Sequence, residues 1–499
     1  MRKVQSGQER GEEGREKELT PGIEGLVRRP ADYRRSPFSF ADREATTHAV
    51  ATGLDLARAR YNTRNKVMSK NDSLTSRREF LKSSAAAGAI LSAPAILSSN
   101  LFAGENKETL RIGLVGCGGR GTGAAGQALH ADPNVVLVAM GDVFEEKVQA
   151  SLAELQKGVP DKVKVTPDKC FVGLDAYQKV IDSGVDVVLL ATPPGFRPTH
   201  LKAAIAAGKH VFCEKPMATD APGVRSVIES GKLAKEKKLA LVAGFCWRYD
   251  LPRREFYKRI HDGAIGQIRA IYATYFAGPV KPMQPASARP KDMGDVEWQL
   301  RNWYNFVWLS GDGLVEQACH SVDKIAWAMK DATPLKAVAV GGRNTPNHEG
   351  NIFDHMFITY EFENEVRAFM GQRQVANASN ENSDYLMGEL GFGKIAGWAD
   401  PVIRAREAWK YRGEKINMYQ QEHNELFASI RKGEPINDSE WMAHSTMMAI
   451  MGRMAAYTGQ EVTWDEAFNS KEQLVPENLD WKMQLDIRPM AVPGFTKLV

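Results

Sequence analysis

Between residues 109 and 243 short apolar runs alternate with stretches of helical periodicity. LRIGLVG (110–116), VVLVAMGD (135–142), VDVVLLATP (185–193), HVFCEKP (210–216) and LALVAGF (239–245) read as strands. Most are apolar along their whole length, as strands covered on both faces of a sheet must be. Helical spacing of apolar positions fills 121–130, 144–157, 174–183, 198–207 and 220–237. Such alternation predicts a doubly wound parallel sheet over 105–245. Beyond about residue 250 the period changes. IRAIYATYFAG (268–278), LKAVAVGG (335–342), HMFITYEF (355–362) and VRAFMGQRQ (366–374) alternate apolar and polar positions, with helical stretches at 298–309, 316–329 and 419–432. Residues 246–499 are therefore expected to form a second, α+β domain with a large, mainly antiparallel open sheet, and the fold class is α/β.

The first hundred residues lack this order. Residues 1–67 are polar, arginine-rich and without a patterned apolar face, and are expected to be either a disordered extension or sequence preceding a true start at Met68. From Met68 a polar stretch leads into Ser76-Arg77-Arg78-Glu79-Phe80-Leu81-Lys82 and then a small-residue apolar run. This resembles a twin-arginine export signal at every position, so 68–104 is expected to engage the twin-arginine machinery and deliver the chain to the periplasm, tethered there if uncleaved. The apolar run, Ala85 to Leu97, is too short to span a bilayer.

Charge and cysteines narrow the class. The net charge of +4 lies entirely in the leader: residues 1–104 hold 18 Lys+Arg against 12 Asp+Glu, and the remainder holds 47 against 49. A folded part without basic excess is not expected to bind nucleic acid. Cys117, Cys170, Cys213, Cys246 and Cys319 are scattered and odd in number, with no zinc spacing and no disulfide framework. Several sit in apolar strand-like runs, where a buried free thiol is the expectation.

Behind the first strand, Gly116-Cys117-Gly118-Gly119-Arg120-Gly121 fits G-x-G-x-x-G at a strand-to-helix turn. That placement sets backbone N–H groups and a helix N-terminus against a pyrophosphate. Asp142 ends the next strand, 21 residues beyond Gly121, where a carboxylate pairs with ribose hydroxyls and repels a 2′-phosphate. NAD(H) is thus favoured over NADP(H), although Arg120 within the loop is a group that could meet an additional phosphate. Thr192 and Pro193, His200, and Glu214 with Lys215 complete the expected cofactor wall.

Two further groups carry chemistry. The Lys215-Pro216 pair ends a buried strand, at the sheet edge where ligands of open α/β sheets bind, and a partly desolvated ammonium there can polarise an oxygen. Glu316 and His320 stand four apart on an expected helix, so the carboxylate can set the imidazole tautomer. Lys215, His320 and Glu316 are the expected catalytic residues. Glu316, His320 and Asp323 lack a further ligand nearby, so no metal is expected. Trp303 and Tyr304, in an aromatic stretch, with Arg248 and Asp323, are the expected substrate contacts, since aromatic faces stack on sugar rings.

The stretches GLVGCGGRG, ATPPGFRPTHLKAAIAAGKHVFCEKPMA, GDGLVEQACHSVDKIAW and ELFASIRKGEP together resemble the Gfo/Idh/MocA family of glucose–fructose oxidoreductase and inositol dehydrogenase-like proteins. The resemblance spans about 109 to 470. It implies a Rossmann domain, an open-sheet domain through which copies associate as dimers or tetramers, and pyranose or cyclitol substrates. It assigns Lys215 to nicotinamide ribose and substrate, and His320 to acid/base work. The family usually has Asp where Glu316 stands and Gly where Ala318 stands.

Three activities follow as expectations. The first is an NAD(H)-dependent dehydrogenase acting on CH–OH groups of a sugar, sugar derivative or cyclitol. The second is a redox-recycling enzyme that cleaves glycosides through a transient keto-sugar with tightly held NAD. The third is a non-catalytic NAD-dependent sensor, disfavoured by the presence of both Lys215 and His320.

Overall fold

The computed structural model describes residues 108–344 and 348–499; the expectations for 1–67 and 68–104 lie outside the described residues. The first sheet consists of β1 (Leu110–Val115), β2 (Val135–Asp142), β3 (Cys170–Val172), β4 (Val187–Leu190), β5 (His210–Cys213) and β6 (Leu241–Ala243). Its order is β3-β2-β1-β4-β5-β6, with every pair parallel. The chain order reverses between β1 and β4, which opens a crevice at their carboxyl ends. Ile112, Leu114, Val187 to Leu190, Val211 and Phe212 are fully buried, which accounts for the unbroken apolar runs. β3 was not expected from the sequence, because three half-exposed residues show no period.

The second sheet holds β7 (Ile268–Ala277), β8 (Lys336–Gly342), β9 (His355–Glu361), β10 (Arg367–Gln374), β11 (Ser383–Gly388), β12 (Gly391–Ala396), β13 (Val402–Ala405), β14 (Trp409–Lys410) and β15 (Val462–Thr463). The order is β14-β13-β12-β11-β7-β10-β9-β8-β15. All pairs are antiparallel except β7 with β10. One face is covered, with Ile358, Tyr360, Ala368 and Met370 buried, while Val340 and Phe357 on the other face are exposed.

Two helices knit the sheets together. Ser439–Thr458 is buried on nearly every side and packs on both β8 and the helix Ala221–Glu236. Its apolar residues run all round the helix, so it has no amphipathic stripe to read. Met418–Lys432 returns to the first sheet. Leu426 and Phe427 join that sheet's core, a burial contributing roughly 1.5–3 kcal/mol for each side chain. Gln420 donates to the Gln127 carbonyl at 3.0 Å, and Arg431 pairs with Asp132 at 2.8 Å. Among the described residues no helix is long and apolar enough to cross a membrane, and the five cysteines are free.

Three expected substrate contacts are framework residues instead. Arg248 donates to Asp323 at 2.9 Å and to Asp331 at 2.5 Å, with its guanidinium over Trp441 and Trp327. Asp323 also accepts from Ser445 Oγ at 2.8 Å. Tyr304 is buried and its hydroxyl accepts from Gln374 at 2.6 Å. A buried charge is tolerated only when paired, and these pairs use up the groups a sugar would need. Arg248→Met strands the Asp323 carboxylate and is expected to lower stability by about 3–5 kcal/mol, read as the shift of a urea unfolding midpoint. Weaker substrate binding at unchanged stability would return Arg248 to the site.

Candidate active site

The glycine loop is built by close approach. Gly116 has φ +95°, and a Cβ there would lie 2.7 Å from the Ala191 carbonyl carbon. A Cβ on Gly121 would sit 1.9 Å from the Gly116 oxygen, so only glycine lets the helix Gly119–Ala131 start this close to β1. At Gly118 and Gly119 a Cβ would meet only open space. The helix has no side-chain cap and no acidic residue in its first turn, so its first amide donors remain available to an anion. This cradle fits a dinucleotide pyrophosphate.

The loop opens into a cavity of about 660 Å³ between the two sheets. Gly116, Gly118, Gly119, Arg120, Gly121, Asp142, Thr192, Pro193, His200, Glu214 and Lys215, the cofactor residues expected from the sequence, all line it, and so do Glu316, His320 and Trp303. Arg248, Tyr304 and Asp323 do not. Asp142 accepts from the backbone N–H of Cys117 at 2.7 Å and of Phe144 at 3.1 Å, which ties the loop to the end of β2. Burial raises the pKa of this carboxyl against those hydrogen bonds. His200 is stacked on Tyr177 at 4.0 Å and lies 3.2 Å from the Thr192 hydroxyl. Burial, then the Arg197 charge, push its pKa down to about 3, so it is a neutral ring at physiological pH.

Arg120 is held at the cavity wall by neighbours. Its Nε lies 2.7 Å from Glu214, it donates to Gln127 at 2.5 Å, and it covers the Tyr419 ring. Its Nε and Nη2 are thus engaged by the protein while the side chain stays on the cavity wall.

Lys215 and Glu316 meet across the cavity. The Lys215 ammonium donates to the Glu316 carbonyl at 2.6 Å and lies 3.5 Å from its carboxylate. Burial by itself would depress the Lys215 pKa, as expected from the sequence, but the Glu316 charge opposes it and the net shift is upward. Lys215 is thus a held cation. The expected Glu316–His320 hydrogen bond is not formed, because the helix breaks: Gly313–Glu316 ends at the carboxylate and Cys319–Ala328 starts anew. The carbonyl freed at that end is the one Lys215 binds, a helix C-terminus satisfied by a cation.

His320 sits edge-on to Phe245 and Trp247. Burial, then the charges of Lys215 and Lys324, hold its pKa well below 6.5. Its Nδ1 and Glu316 Oε2 are buried without hydrogen-bond partners among the described residues. Lys324, adjacent on the same helix, is withdrawn into a pair with Asp384 at 2.5 Å. Phe144, Tyr177, Lys281, Gln317 and Tyr419 also line the cavity. None carries a motif, and only the fold brings them there. Among the described residues no three His, Cys, Asp or Glu side chains are grouped to hold a metal.

Comparison with known proteins places this geometry. The model of the Gfo/Idh/MocA oxidoreductase family, NAD-binding Rossmann fold, matches residues 110–245. Inositol 2-dehydrogenase 4 of Saccharopolyspora erythraea is 33% identical over 258 residues, 52% of this chain and 64% of that protein, just under two thirds of its length. Inositol 2-dehydrogenase of Acidiphilium cryptum is 25% identical over 344 residues, 67% of this chain and 89% of that one. The WlbA dehydrogenase of Bordetella pertussis, solved with NADH and UDP-GlcNAcA, superposes with a TM-score of 0.56 at 20% identity, covering 71% of this chain and 98% of that one. At that identity the likeness speaks for the fold alone. Over residues 110–245 the chain is thus similar to the NAD-binding Rossmann fold of the Gfo/Idh/MocA oxidoreductase family, and over about half of its length to an inositol 2-dehydrogenase.

Proposed function

We propose that this protein is an NAD-dependent dehydrogenase of the Gfo/Idh/MocA type that oxidises a CH–OH group of a sugar, sugar derivative or cyclitol, with Lys215 and His320 at the reacting carbon. The observation that carries the reading is the meeting of Lys215, His320 and the glycine loop in one cavity, although they come from different ends of the fold. Gly118, Gly119 and the following helix N-terminus would hold the pyrophosphate, and Asp142 the adenosine ribose. Bound NAD would supply the acceptor for the C–H hydride. The chain's own residues do the rest. Lys215, held charged by Glu316, donates to the substrate oxygen and stabilises negative charge as it develops there. His320, kept neutral by burial, accepts the hydroxyl proton. Glu316 Oε2, free of other partners, is available to a neighbouring hydroxyl. Asp142 favours NAD over NADP.

Lys215→Met and His320→Ala are each expected to lower kcat/KM by about 10²–10⁴ on a panel including myo-inositol and glucose, while NADH still binds by fluorescence titration. Full turnover in both variants refutes the reading.

The pH profile follows from the two shifts. A base must be unprotonated, so a pKa displaced below 6.5 for His320 moves the acid limb of kcat/KM below pH 6.5. Lys215 must be protonated, and its pKa is raised above 10.5, so no alkaline loss through this group is expected below that value. An acid limb centred at or above pH 6.5 would show that His320 is not the base.

Asp142→Asn is expected to raise the NADP-to-NAD ratio of kcat/KM by removing the charge that repels a 2′-phosphate. An unchanged ratio places the discrimination elsewhere.

A further inference from the structure

The charged groups around the cavity can be sorted by whether the protein already satisfies them. Arg120 is matched to Glu214 and Lys215 to Glu316. Arg301 is matched to Glu146 and Glu297, each at 2.8 Å. Arg197 donates to the Pro216 carbonyl at 2.6 Å. The Asp142 oxygens already accept backbone N–H groups. Lys147 and Lys281 are different. Both line the cavity, and neither forms an ion pair within 4.0 Å among the described residues, although the Lys147 charge acts on Asp142 and Glu146 from farther off.

They approach from opposite walls. Lys147 stands on the helix Glu145–Gly158 that follows β2, whereas Lys281 lies in the segment after β7 of the second sheet. They are close enough to act on one another: after burial, the Lys147 charge is what most depresses the Lys281 pKa, and Glu316 opposes it. Lys281 therefore lies within electrostatic reach of both Lys147 and the proposed catalytic carboxylate. Its ammonium rests over the Trp303 ring, 5.0 Å from the centroid, beside an aromatic face of the kind that stacks on pyranose rings. Two like charges facing one cleft repel each other, and an oxyanion between them relieves that repulsion.

We propose that the cleft takes an anionic sugar, one bearing a carboxylate or phosphate away from the carbon being oxidised, with Lys281, braced on the Trp303 ring, as the specificity-determining contact. This rests on the dehydrogenase reading of the same cavity and names its substrate class. The neutral cyclitol or hexose lacks the group that Lys281 is placed to meet. The same chemistry has a second source, a phosphate of the dinucleotide itself, and the test separates the two.

The NADH-loaded protein is titrated calorimetrically with D-glucuronate, D-glucose 6-phosphate and neutral D-glucose, for the wild type, Lys281→Met and Lys147→Met. At least one anion is expected to bind ten- to a hundredfold more tightly than glucose, as for a hydrogen-bonded ion pair. That preference is expected to collapse in Lys281→Met and to shrink with added salt, while the affinity of the cofactor-free protein for NADH is unchanged. Equal affinity for glucose, or no binding by either anion, overturns the proposal. So does a Lys281→Met variant that loses NADH affinity and keeps its sugar preference, which would assign the lysine to the cofactor. Turnover is scored separately. Anion binding without oxidation sinks the dehydrogenase reading and leaves this one, whereas oxidation of neutral and anionic sugars with equal kcat/KM does the reverse.

Discussion

The contact between Lys215 and Glu316 is the constraint on which the rest of the site depends. One partner ends a strand of the parallel sheet and the other ends a one-turn helix packed on the second sheet. An ammonium with so little exposure needs its donors satisfied, and it finds a carbonyl and a carboxylate on the same residue. That single anchorage does three things. It opposes the effect of burial on the lysine's charge, it joins the parallel-sheet side of the cavity to the helix break on the other side, and it takes the carboxylate away from His320. The helix break after Glu316 is what makes it possible, because only an ending helix has a carbonyl to spare.

The phosphate loop is tied into the same logic of buried charge. Arg120 lies in the loop, Glu214 precedes the catalytic lysine candidate, and Glu422 and Tyr419 come from the returning helix Met418–Lys432. The late part of the chain therefore supports the first sheet from behind, and the cofactor wall is not a product of residues 105–245 alone. Pairing Arg120 with Glu214 also fixes the loop against the returning helix, while its backbone amides at Gly118 and Gly119 suit a pyrophosphate.

Legibility varied with how local the signal was. The parallel strands were readable because burial on both faces demands apolar residues without a break, and the glycines because each of Gly116 and Gly121 answers to a close approach that no side chain survives. The helix Ser439–Thr458 was not readable, since a helix buried all round has no stripe. Arg248 and Asp323 misled for a different reason. Charged residues among tryptophans look alike in sequence whether they bind a sugar or one another, and here Asp331, Ser445 and Trp441 had already claimed them. Lys281 gave the opposite error: it carries no motif, and only the fold sets it on the cavity wall over Trp303, with no ion pair among the described residues.

The resemblance to the Gfo/Idh/MocA family singled out Lys215 and His320 together, and the sequence by itself determined the two-sheet architecture and the loop with its acid at Asp142. These follow from periodicity and from turn chemistry, which act over a few residues and are written in consecutive positions. Only the tertiary structure decided who pairs with whom. It gave Glu316 to Lys215, Arg120 to Glu214 and Arg248 to Asp323, and it set Lys147 and Lys281 on the wall of one cavity. Pairing of buried charge is settled by distances between residues far apart in the chain, often by a hundred positions or so, and no local pattern records those distances.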